Sequence, residues 1–159
     1  MRLPPIRRTP KRRVLPAEVD GECVFCRIVA GTAERSLLAE DDDAVAFLDV
    51  QPAVTGHALV VPRRHAVGLA DLTPAEGAAV WELGRRVAAG ARAAGLAEAV
   101  NLFLADGAAA GQEVWHAHLH VLPRTPGDGL RLDGAFRPME RGALDAVAER
   151  LRASLPLAN

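Results

Sequence analysis

The run WHAHLHVLPR places His116, His118 and His120 at alternate positions, with the apolar residues Ala117, Leu119 and Val121 between and after them. Alternation of this kind is the period of a β-strand with one core face and one functional or wet face. Side chains two apart on a strand point the same way, roughly 6.6–6.8 Å apart along it. Three imidazoles on one face fill a core poorly. They suit proton transfer, nucleophilic attack or metal binding near neutral pH.

The chain around this strand has 159 residues, half of them apolar and a quarter charged, which fits one soluble globular domain. Net charge is −1 but unevenly spread. Arg2, Arg7, Arg8, Lys11, Arg12 and Arg13 give the first thirteen residues +6, and the thirteen remaining bases face twenty acids, so the rest carries −7. An acidic body argues against nucleic acid as a partner. Residues 1–20, with Pro4, Pro5, Pro10 and Pro16, read as a disordered basic arm, and residues 21–159 as a single domain. The arm lacks the apolar run of a secretory signal, and no stretch is long enough to span a membrane. These features predict a cytoplasmic protein without a membrane partner.

Cys23 and Cys26 are the only cysteines, spaced C-x-x-C. In a reducing compartment this spacing favours metal or redox chemistry over a structural disulfide. It follows a polar segment rather than a strand, which favours metal. CVFCRIVAG then predicts a short helix ending at Gly31. SLLAE, AVAFLDV, HALVVP, NLFLA and the histidine run predict strands. Thr73-Pro74 opens a helix over 74–94, with Val80, Leu83, Val87, Ala91 and Ala94 at helical spacing and Gly95 as a stop. Residues 140–155 predict a final helix. Short loops between strands, with one long helix among them, give an α+β fold on a largely antiparallel sheet.

A histidine that attacks phosphorus needs one neutral nitrogen free and the other held by an acceptor. The flanked His118 suits that task, and His120 on the same face could bond a phosphate oxygen or protonate a leaving group. Residues 107–112 are small and glycine-rich, so their backbone N–H groups could approach an anion closely. Alternatively the three histidines could ligate zinc.

HAHLHVL, with AGQ just upstream, resembles the signature of the histidine triad family. TGHALVVPRRH is similar to that family's earlier histidine-containing strand, and AFLDVQP to its nucleotide-contacting strand and turn. CVFCRIVAG resembles the N-terminus of zinc-binding bacterial members, and PRTPGDGL resembles the branch of bacterial and fragile-histidine-triad-like proteins rather than the nucleoside-phosphoramidase branch. The matching segments run in order over about residues 22–130.

The resemblance implies the histidine triad fold, with a five-stranded sheet, one long helix and a C-terminal helix, pairing as a homodimer in which Trp81 serves either the contact or the core. It implies a hydrolase or nucleotidyltransferase acting on purine nucleotide conjugates: phosphoramidates, dinucleoside polyphosphates or adenylated small molecules. His118 would be the nucleophile, His120 would contact the phosphate, and His57 would shape and polarise the site. Gly111, Gln112 and Glu113 would lie at the phosphate and Asp49 at the ribose hydroxyls, where a carboxylate accepts two donors; Asp49 also fits a turn-initiating role. Cys23, Cys26, His65 and His116 would form a closed structural zinc site.

Two departures matter. Ala105 stands where many members have Asn or Gln, with Asp106 beside it. Glu113 stands where several have Ser or Thr, and an ionised carboxylate there repels phosphate unless it points away. Both raise the alternative of a nucleotide-binding sensor or adaptor with little turnover.

Overall fold

The computed structural model describes residues 16–131 and 137–156. The expectation for residues 1–15 lies outside them. Residues 18–20, assigned to the arm from sequence, instead form ordered structure. β1 (Glu18–Val19) pairs antiparallel with β2 (Glu22–Cys23) across Asp20 and Gly21, which have φ of 56° and 78°. Two central residues with positive φ are what an Asp-Gly hairpin turn supplies.

Cys23 leads directly into α1 (Val24–Val29), and Gly31 follows with φ of 74°. Five strands come next: β3 (Leu37–Glu40), β4 (Ala44–Leu48), β5 (Ala58–Pro62), β6 (Ala99–Leu104) and β7 (Leu119–Arg124). They form one antiparallel sheet in the order β3-β4-β5-β7-β6. The 20-residue α2 (Pro74–Ala93) lies between β5 and β6, and α3 (Arg141–Ser154) ends the described chain. This is the expected α+β architecture.

The sheet is covered on both faces, which explains why β4 and β5 read as continuous apolar runs. Ala44, Ala46, Ala58, Val60, Leu119 and Val121 meet Val80, Leu83 and Ala88 of α2. Val45, Phe47, Leu59 and Val61 point the other way and meet Phe25 and Ile28 of α1. Gly84 lets α2 approach β7 closely, since a Cβ there would lie 2.6 Å from Leu119 Cδ2. The α2 start is fixed by a capping box: Glu76 N donates to Thr73 Oγ1 at 3.2 Å and Thr73 N to Glu76 Oε2 at 2.8 Å, a cap worth about 1 kcal/mol. Trp81 is not core; it is 59% exposed on the outer side of this helix.

The histidine strand is shorter than its alternation predicts. β7 begins at Leu119, so His116 and His118 precede it. There the backbone leaves the ladder: His116 N donates to Val114 O at 2.8 Å and Ala117 N to Ala66 O at 2.7 Å. His120 is in the sheet, opposite Leu59 on one side and Phe103 on the other.

Candidate functional site

Two clusters share the α1 side of the sheet. In the first, Cys23 caps α1 and Cys26 lies one turn further on, so both thiols face the same way. Cys26 Sγ is 3.3 Å from His65 Nδ1 and 3.6 Å from His116 Nδ1, and Cys23 Sγ is 3.7 Å from His116 Nδ1. One ligand atom from each of the four residues falls within 4.8 Å of all the others. A tetrahedral zinc with two thiolates and two imidazoles requires S···N edges of about 3.6 Å, so the donor set fits the ion.

The second coordination layer is also present. His116 is fully buried and donates Nε2–H to Pro62 O at 2.9 Å, which fixes the tautomer and leaves the Nδ1 lone pair facing the thiols. Burial pushes its pKa from 6.5 down to about 4, keeping it neutral. Without metal, burial and the neighbouring Cys23 push the Cys26 thiol up from 9.0 to about 11. Charge on these sulfurs therefore needs a cation beside it.

The second cluster holds His118, His120, His57 and Asp49. His118 is buried and donates Nδ1–H to the backbone carbonyl of His116 at 2.7 Å, leaving the lone pair on Nε2. Burial lowers its pKa from 6.5, against the fields of Asp49 and Glu113, so a neutral imidazole is the form present near pH 7. Phe25, between the two cysteines, packs edge-on against this ring with centroids 5.2 Å apart and is also edge-on to Phe47 at 5.6 Å.

Asp49, His57 and His120 form a chain rather than a cage. His57 Nε2 and His120 Nδ1 are 2.9 Å apart, and Asp49 Oδ2 is 3.3 Å from His57 Nδ1. Ala53 N donates to that same Nδ1 at 3.2 Å, so neutral His57 carries its proton on Nε2 and gives it to His120. Neutral His120 then carries its own proton on Nε2. Burial lowers the pKa of His57, opposed by Asp49. Asp49 takes the turn-initiating role: Oδ1 accepts Gln51 N at 2.8 Å, while Oδ2 lies 3.3 Å from His57 Nδ1.

The loop before the histidines is built around Gln112. Its Nε2 donates to Val67 O at 2.7 Å and Val114 O at 3.1 Å, and its Oε1 accepts Gly107 N at 2.8 Å. Both amide protons and the oxygen are thus engaged within the protein, and the residue is 5% exposed. Gly107 and Gly111 have φ of 87° and 89°, values that glycine adopts without strain. Ala105 is buried beside this loop. Asp106 does not stand in for an amide there, because its carboxylate lies over Gly68, where a Cβ would overlap Oδ1. Glu113 is exposed at the loop's end.

The sequence-derived histidines, cysteines and Asp49 therefore fall into two clusters, while Gly111, Gln112 and Glu113 belong to the loop that precedes the histidines. The expectation of three imidazoles ligating one metal does not assemble: His116 Nδ1 faces the cysteines, His118 Nδ1 a carbonyl and His120 Nδ1 His57. Sequence reasoning missed Phe25 and Phe103, whose rings contact His118 and His120. The signal for Phe25 was its place inside C-x-x-C. For Phe103 it was the pairing of NLFLA with the histidine strand.

The HIT domain family model matches residues 30–127. An uncharacterised HIT-like protein of Mycobacterium tuberculosis is 47% identical over 108 residues, covering 68% of this chain and 75% of that protein. The adenylylsulfatase HINT3 of Arabidopsis thaliana is 33% identical over 125 residues, 79% of this chain and 64% of the plant protein. The zinc-bound histidine triad family protein of Mycobacterium smegmatis superposes with a TM-score of 0.66 at 38% identity, covering 84% of this chain and 97% of that one. On its sheet, its paired histidine clusters and these likenesses, the chain belongs to the histidine triad (HIT) family.

Proposed function

We propose that the protein is a nucleotide hydrolase or nucleotidyltransferase that cleaves purine nucleotide conjugates at the α-phosphate. The observation that carries this reading is the tautomer of His118: a buried neutral ring with its proton held on Nδ1 by a carbonyl and its lone pair on Nε2. Nε2 attacks the α-phosphorus, and the bond from phosphorus to the leaving group breaks. His120, as the imidazolium, supplies the proton that the leaving atom takes up, from Nε2. Water or another acceptor, passing its proton to His120, then attacks the nucleotidyl-histidine, releasing the nucleotide and restoring both histidines. His57 polarises His120 through the 2.9 Å bond, and Asp49 accepts from the ribose hydroxyls. Gly111, Gln112 and Glu113 border the phosphate, with Gln112 shaping the loop rather than donating to the anion through its side chain.

In this reading Cys23, Cys26, His65 and His116 hold a structural zinc ion that ties α1 to the sheet and takes no part in the chemical step. The domain includes the β1–β2 hairpin from Glu18 onward, and the protein acts as a cytoplasmic homodimer. Among the described residues no helix is long and apolar enough to cross a membrane.

The test is AMP release from adenosine 5′-phosphoramidate and from a diadenosine polyphosphate, comparing wild type with His118→Ala. Adenylyl sulfate, the compound in the plant relative's name, belongs in the same panel. Turnover that vanishes in the variant while AMP still binds supports transfer through His118. Undiminished turnover overturns it. A second reading, a nucleotide sensor, draws on the Glu113 charge facing His118 and on the missing amide at Ala105. It predicts AMP binding without turnover on any of these compounds.

A further inference from the structure

Phe103 stands directly opposite His120 in the β6–β7 ladder, so both side chains leave the sheet on the same face. Their ring centroids are 4.3 Å apart and the planes differ by 4°. The imidazole is held at a second point, in its own plane, by His57 Nε2 at 2.9 Å from Nδ1. These constraints are orthogonal. The stack fixes the tilt of the ring and the hydrogen bond fixes its rotation, so the direction of Nε2–H is determined by groups outside the triad signature. Burial does not account for the phenyl, which remains 39% exposed on the edge strand.

Among the described residues, the titratable groups close to His120 include His57, His118 at 4.8 Å centroid to centroid, and Asp49, whose carboxylate lies within 4.8 Å of the ligand atoms of His57 and His120. Protonated neighbouring imidazoles would oppose a proton on His120, whereas Asp49 favours one. When His120 carries protons on both nitrogens its Nδ1–H donates to His57 Nε2, and the His57 proton moves to Nδ1, 3.3 Å from Asp49 Oδ2. The face of a phenyl ring carries negative electrostatic potential and attracts a cation stacked on it more strongly than a neutral ring.

We propose that Phe103 is the positioning residue of His120, its ring face fixing the imidazole plane and favouring the imidazolium, so that Nε2–H is aimed at the leaving group. The role toward a leaving group rests on the nucleotidyl-transfer reading above. Phe103 touches no reacting atom and is not itself catalytic.

The experiment uses full-length protein, with His120 followed by NMR titration in wild type, Phe103→Leu and Phe103→Tyr. Kinetics on adenosine 5′-phosphoramidate are measured in parallel. Phe103→Leu keeps an apolar side chain but removes the ring; unchanged signals from the buried Phe25 and Phe47 report that the fold survives. The expected result is loss of the ring-current shift on His120 and a fall of roughly half a pKa unit in Phe103→Leu, with both restored in Phe103→Tyr. In kinetics, kcat falls about threefold to tenfold at constant KM. The alkaline limb of the pH profile moves to lower pH with the His120 titration. Identical His120 titration in wild type and Phe103→Leu overturns the proposal, as does failure of Tyr to restore it. If the titration moves as expected but wild type releases no AMP from any conjugate, the positioning role stands and the nucleotidyl-transfer reading falls.

Discussion

The carbonyl of His116 accepts the Nδ1–H of His118 at 2.7 Å, while the His116 ring turns its own Nδ1 toward Cys26 at 3.6 Å. One residue thus joins the two clusters. Its side chain belongs to the proposed metal site and its backbone sets the tautomer of the proposed nucleophile. Orientation of His118 is therefore coupled to whatever holds His116 still.

Cys26→Ser should reduce bound zinc from about one per chain to near none, measured by metal analysis of the purified protein. Melting temperature should fall by about 10 °C or more, because metal binding contributes directly to folding free energy. Full zinc content in Cys26→Ser would remove Cys26 from the ligand set. Retention of zinc by a Cys23→Ser, Cys26→Ser double variant would remove the site itself.

Replacing Gln112 by Ala leaves Gly107 N–H, Val67 O and Val114 O without their partner. Stability should drop by roughly 1–3 kcal/mol in chemical denaturation, with weaker AMP binding in calorimetry. Gln112→Glu retains the acceptor but cannot donate to the two carbonyls, so it should not rescue. Unchanged stability with a lower kcat would instead assign the side chain to the phosphate.

Much of this arrangement was legible beforehand, and the gaps have physical causes. The strands, α2 and α3 follow from apolar periodicity and the Thr73-Pro74 start. The grouping of Cys23, Cys26, His65 and His116, implied by family resemblance, corresponds to atoms within 4.8 Å of one another. The end of the histidine strand was misread because alternation continues through His116 and His118 while the Ala117 N–H bonds to Ala66, a partner from a loop. The β1–β2 hairpin has two residues per strand, too few to show a period, and only Asp20-Gly21 announces it. Gln112 beside a phosphate loop is chemically ambiguous, since an amide donates equally well to an anion or to carbonyls. Its three partners are far apart in sequence or hidden in backbone geometry.

Glu113 contributes a negative field at His118, together with Asp49. A polyphosphate leaving group would meet that charge more unfavourably than an amine. Glu113→Ser and Glu113→Gln should both raise kcat/KM for a diadenosine polyphosphate relative to the phosphoramidate, by roughly fivefold to tenfold at low salt. Equal effects on both substrates would show that the carboxylate does not discriminate leaving groups.

Burial lowers the pKa values of His57 and His118 from 6.5, so the nucleophile is half protonated only below that value. The acid limb of kcat/KM should therefore have its midpoint below pH 6.5. The same sign governs stability of the metal-free protein. Unfolded histidines take up protons first, so stability is highest above pH 6.5 and is lost progressively toward pH 4, where His116 at last accepts a proton. Denaturation midpoints measured from pH 7.5 to 4.5 check this, and a stability that rises on acidification would contradict it.

α1 has only six residues, too few for a helix to persist in water by its own hydrogen bonds. It is helical because Phe25 and Ile28 are seated on the sheet and, in the proposed reading, because its cysteines are pinned by an ion. The wall beside His118 therefore depends on its contacts rather than on its own helical bonds. In an amide-exchange experiment, residues 18–31 would form a separate opening unit from the β4–β5–β7 centre, and their protection would track metal supply. Access to the nucleophile would then depend on the zinc economy of the cell.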